Sequence, residues 1–108
     1  MHELLEELDS PFKEKFKKEV SLTEITRYSL NLHKNTAVVV TNSYLYVIQK
    51  KLVYVSLSKF PISSLEDISF DGSKLKLNVL KKIIQLPVAP NKKESVKKFC
   101  EGMKALKG

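Results

Sequence analysis

Residues 36–58 read TAVVVTNSYLYVIQKKLVYVSLS, a run of β-branched and aromatic side chains broken twice, at Thr41-Asn42-Ser43 and at Lys50-Lys51. Val, Ile, Thr and Tyr pack well on a pleated, half-buried surface, whereas a helix crowds their branched carbons against its preceding turn. Three strands joined by tight turns therefore account for the stretch better than one helix. Thr36 to Thr41 is apolar almost without interruption, which predicts a central strand covered on both faces. Tyr44 to Gln49 and Leu52 to Leu57 complete a meander.

Upstream, Ser21 to Leu32 alternates loosely and predicts a first strand from about Thr23 to Leu32, turning through His33-Lys34-Asn35. Residues 1–20 predict a helical extension in two pieces, the second starting at Asp9-Ser10-Pro11, where the missing proline N–H costs nothing in a first turn. Leu4, Leu5, Leu8, Phe12 and Phe16 fall at spacings of about four and form one apolar stripe. The stripe has two readings. It docks on the domain that follows, or it is a partner-binding or membrane-surface helix flanked by Lys13, Lys15, Lys17 and Lys18. Glu3, Glu6, Glu7 and Asp9 weigh against the membrane version.

Downstream, Pro61 marks a loop, because proline cannot donate to a ladder. Glu66 to Phe70 is a short strand bounded by the turn signal Asp71-Gly72, and Lys74 to Val79 alternates cleanly as a strand wet on one side. Lys81-Lys82 turns the chain into Ile83 to Leu86, which Pro87 and Pro90 close. Asn91 and Glu94 then form a capping pair for a helix whose apolar face is Val96, Phe99, Cys100, Met103 and Leu106. The expected class is α+β: seven antiparallel strands in a β-barrel or sandwich, capped by a C-terminal helix. Residues 1–20 are the extension and 21–108 the domain.

The formal net charge of +7 is almost all lysine, Arg27 being the only arginine. Lysine is a hydrated point charge suited to diffuse attraction, whereas bidentate reading of phosphates or guanine edges usually uses arginine. One cysteine and two distant histidines, His2 and His33, predict neither a disulfide nor a metal site. No HExxH, GxSxG or glycine-rich phosphate loop occurs, so no catalytic residue and no cofactor is expected. Cys100 reads as a small hydrophobe of the terminal helix and His33 as a solvated turn residue. With no apolar run long enough to cross a bilayer, the expected location is cytoplasmic, peripheral to a membrane where lipid is bound.

Seven short antiparallel strands followed by one amphipathic helix resemble the pleckstrin-homology-like (PH-like) superfamily from about Val20 onward. VVVTNSYLYVI (38–48) is similar to the LTN-x-x-L-Y hairpin of the bacterial PH, GRAM-like and myosin-I-tail branches, and FPISSLEDISF (60–70) to their step into strand five. The usual tryptophan of the terminal helix is absent, and Phe99 is expected in its space. The turn HKN also lacks the lysine-and-arginine pattern of a tight phosphoinositide clamp. What the resemblance implies is a non-catalytic adaptor module.

Two partner classes stay open. The turns after strands one, three and six are expected at one rim, where Lys34, Lys50, Lys51, Lys81 and Lys82 attract anionic phospholipid or phosphoinositide headgroups weakly. The alternative is a protein-interaction module using Leu4, Leu5, Leu8, Phe12 and Phe16, or the edge of strand five near Glu66, Asp67 and Asp71, where relatives add a peptide strand. Lys92, Lys93, Lys97 and Lys98 beside Tyr44, Tyr46 and Tyr54 are the case for nucleic acid. It is disfavoured, because glutamates at 94 and 101 interrupt the basic face and the tyrosines fit cross-strand pairs. The oligomeric state is left open.

Overall fold

The computed structural model describes residues 5–107, with side chains through Ala105. In chain order the elements are α1 (Ser10–Glu19), β1 (Thr26–His33), β2 (Thr36–Thr41), β3 (Tyr44–Lys50), β4 (Val55–Pro61), β5 (Leu65–Phe70), β6 (Lys74–Val79), β7 (Lys82–Pro87) and α2 (Lys93–Lys107). All strands are antiparallel, in one sheet ordered β1-β2-β3-β4 and a second ordered β5-β6-β7. This is the predicted α+β class in its sandwich form, since the sheets do not close into a barrel. Its general shape is that of a PH-like sandwich.

Every residue of β2 is buried, as its unbroken apolar run predicts, and the alternation of side chains explains how. Val38 and Val40 join Leu45 and Val47 of β3 in the core between the sheets, which Leu75, Leu77, Phe99 and Met103 complete from the far side. Ala37 and Val39 face the other way, with Tyr46 and Ile48, under Leu8 and Phe12. The first sheet is thus sandwiched twice. Phe12 is 0% exposed, and Phe16 meets the Tyr46 ring edge-on at 5.0 Å, so the N-terminal stripe is spent inside the molecule.

The predicted helix over residues 1–20 shortens to Ser10–Glu19. Residues 5–9 instead lie along the edge of β1. Leu5 makes a parallel bridge to Ser29, and the Glu6 N–H donates to Ser29 O at 3.0 Å. Asn31 holds the rest: its Nδ2 donates to Glu7 O at 3.0 Å, and its Oδ1 accepts the Asp9 N–H at 3.0 Å. An edge strand has backbone groups to satisfy, and this segment satisfies them. Lys92 reaches across from the turn just before α2 to Glu6 at 2.8 Å and locks the arrangement.

The two sheets are joined at two corners. β4 runs into β5 through a single turn at Ile62–Ser64, and at the other corner Ala89 N–H donates to Leu32 O at 2.8 Å. The gap under the start of β1 is filled by α2, where Tyr28 packs edge-on to Phe99 at 5.6 Å. Gly102 lets the helix approach, since a Cβ there would lie 2.9 Å from Tyr28 Cζ and closer still to its hydroxyl. Gly102→Ala is expected to destabilise by about 1–3 kcal/mol through overpacking. Thermal unfolding checks this, and Tyr28→Val in the same chain should recover most of the loss.

Between α1 and β1, Glu24 fastens the linker to the first sheet. Its carboxylate accepts from Thr41 Oγ1 (2.7 Å), the Tyr46 hydroxyl (2.8 Å) and the Ser21 N–H (3.0 Å). Burial works to raise its pKa, but the donors outweigh burial and hold the carboxyl below its ordinary 4.5. Burial, helped by the facing carboxylate, drives the Tyr46 phenol the other way, well above its usual range. Glu24→Ala leaves that buried hydroxyl without its acceptor and should cost about 1–3 kcal/mol at pH 7. A depressed folded pKa adds stability above the unfolded value and loses it as pH falls through the folded one. Urea titrations of both proteins should therefore converge as the pH falls through the depressed pKa of Glu24.

Candidate functional site

The β3–β4 hairpin ends in a turn closed by the Lys51 N–H donating to Tyr54 O at 2.7 Å. Strand β4 consequently begins at Val55 rather than at the predicted Leu52, and Leu52 and Val53 become the apex. They are 99% and 86% exposed, with Tyr54 beside them at 60%. Three apolar side chains in succession stand in water. At the base of this tip the Lys50 N–H donates to Asn35 O at 2.8 Å, which fixes the β1–β2 turn alongside.

Lys34, Lys50 and Lys51 are therefore brought together, all exposed, and none is in an ion pair among the described residues. Within the first sheet nothing offsets their charge, because the chain carries no acidic residue between Glu24 and Glu66; outside it, Asp9 lines the same surface groove as Lys34. That gap in acidity spans the whole first sheet and is legible in the sequence. Lys81 and Lys82 belong to the second sheet, where Leu80 N–H donates to Ser64 O at 3.3 Å. Because β7 runs from there to the end of β1, this turn lies on the β4 side of the sandwich.

The other expected surfaces are covered by the chain itself. Leu4 lies outside the described residues, and Leu5 is partly exposed, but Leu8 and Phe12 are buried and Phe16 is half-buried against the first sheet. A partner can reach them only if α1 leaves. The β5 edge is packed against α2, its principal neighbour outside its own sheet. A groove of about 330 Å³ beside α1, lined by Leu8, Phe16 and Val39, has Lys13 at its mouth already tied to Glu7 at 2.7 Å.

The lysines expected on the terminal helix are also partly committed: Lys92, which falls in the turn just before α2, to Glu6 at 2.8 Å, and Lys97 to Glu94 at 3.9 Å. Tyr46 is fully buried and Tyr44 lies under Lys59, whose Nζ is 4.2 Å from the ring centre. Neither offers a free stacking face. Cys100 is buried, which pushes its thiol up to about 11 and leaves it protonated at neutral pH. His33 Nδ1 accepts the Asn35 N–H at 3.4 Å, a turn contact. No cluster of three metal-ligating side chains occurs among the described residues, and none of the helices there is long and apolar enough to cross a membrane.

Comparison of the chain with protein-family models, with curated proteins and with solved structures finds no match.

Proposed function

We propose that this chain is a non-catalytic PH-like adaptor that attaches reversibly to anionic membrane surfaces through the turns of its first sheet. One observation carries the reading: the bond from Lys50 N–H to Asn35 O gathers Lys34, Lys50 and Lys51 at one end of a sheet that bears no carboxylate. Each lysine near an anionic leaflet contributes about 1 kcal/mol, so three supply about 3 kcal/mol and Lys81 with Lys82 a further 2 or so. Attachment on that scale is weak, and it is set by the charge of the leaflet.

Cosedimentation with vesicles tests it. Pelleting should rise with the fraction of phosphatidylglycerol, vanish on pure phosphatidylcholine, and weaken as added salt shortens the screening length to about 8 Å at physiological strength. A chain that stays in the supernatant with anionic vesicles at low salt is no membrane module. The competing reading, a peptide-binding domain without lipid contact, has less to stand on, because α1 and α2 already occupy the surfaces it needs.

A further inference from the structure

Electrostatics does not account for the apex of the β3–β4 hairpin. A single exposed leucine is ordinary on a protein surface, but Leu52, Val53 and Tyr54 are consecutive, they sit at the point of a hairpin, and lysines flank them. The β6–β7 turn repeats this composition with Leu80 at 58% and Ile83 at 68% exposure around Lys81 and Lys82. Its backbone is also costly. Leu80 and Lys81 have φ of 52° and 64°, the left-handed region that glycine and asparagine usually fill in a two-residue hairpin. A leucine held there crowds its Cβ against the following carbonyl oxygen and, at 58% exposure, gains little burial in return.

We infer that both tips are wedges: Leu52, Val53 and Leu80 enter the boundary between headgroups and acyl chains of an anionic bilayer, with the flanking lysines at phosphate level. The inference rests on the membrane reading above and adds an apolar contact to it. The occupant follows from shape and charge together. A hairpin apex is convex and buries little against a folded protein, whereas a bilayer closes around it. The lysine stems lie along the apolar boundary while their ammonium groups stay among the phosphates, and Tyr54 has the amphipathic ring found at that depth. With both tips in one leaflet, the sandwich has a single standing orientation on the surface.

The chain has no tryptophan, so Leu52→Trp or Leu80→Trp introduces the sole indole. Leu22→Trp is the reference, since Leu22 is fully exposed on the linker whose Ile25 is bonded to Asn42, at the opposite end of β3. With phosphatidylglycerol and phosphatidylcholine vesicles brominated on the acyl chains, emission from positions 52 and 80 should shift to the blue and be quenched. Emission from position 22 should not change. Leu52→Ser with Val53→Ser should weaken vesicle affinity roughly tenfold or more, and what remains should disappear in high salt.

If vesicles bind the chain while both indoles stay wet, the wedges are wrong and the electrostatic reading survives. If no vesicle binds at all, the reading beneath fails and the wedges with it. A blue shift at position 52 that grows with protein concentration in the absence of lipid assigns the tip to a second copy of the chain and overturns the inference.

Discussion

Phe12→Ala is expected to remove about 3–5 kcal/mol of folding stability, enough to unfold a domain of ordinary marginal stability. Phe12 is the one fully buried residue of α1, and it closes the outer core over Val39, Tyr46 and Ile48. The rest of the helix has little to hold it. Four of its ten residues are lysine, its Asp9 cap makes no side-chain bond, and ten residues are too few for a helix to persist alone in water. Loss of Phe12 therefore undocks α1, and undocking strips the cover from β2 and β3. Urea unfolding should show the drop, and deletion of residues 1–20 should give a chain that aggregates. A truncated chain that folds with unchanged stability would show that the stripe is an appendage and return it to the list of partner surfaces.

Reversal of Lys34, Lys50 and Lys51 to glutamate should abolish binding to anionic vesicles. Removing three attractions of about 1 kcal/mol each weakens affinity by roughly a hundredfold, and installing three repulsions takes it below detection. All three side chains are exposed and unpaired among the described residues, so the fold should be unaffected. The far-UV circular dichroism spectrum should match that of the parent. Persistent binding by the triple variant would place the contact elsewhere on the molecule. Lys97→Glu with Lys98→Glu, on the exposed face of α2, is the matching control and should bind as the parent does.

Where local pattern and tertiary structure agree, the residues themselves announce the outcome. β2 could only be a covered central strand, and the apolar face of Val96, Phe99, Cys100 and Met103 could only be a docked helix. The two disagree most at two places, beyond small shifts such as a first strand that starts at Thr26 and an Asn91 that sits inside the turn before α2. Leu4, Leu5 and Leu8 carry a helical spacing, yet residues 5–9 follow the edge of β1, because the Asn31 side chain and the Ser29 backbone supply partners that no neighbour in sequence reveals. Leu52 to Tyr54 have strand-forming side chains, yet a hydrogen bond across residues 51–54 puts them in a turn.

That second departure governs the site. The lysines of the turns were legible as charges, but the apolar apex between them was not, since β-propensity assigned it to a strand. Exposure separates the two cases. A leucine in a strand and a leucine at a hairpin tip have the same neighbours in sequence and opposite relations to water.

The ion pair between Glu6 and Lys92 has a consequence for the order of assembly. Its partners are separated by all seven strands, and closing so long a loop directly is entropically costly, whereas the finished sandwich delivers the two side chains to one another. That bond is thus among the last contacts to form. Ser29 and Asn31 hold residues 5–9 on β1 before Lys92 is made, so the pair acts as a late clasp that fastens the first segment of the fold to its last turn.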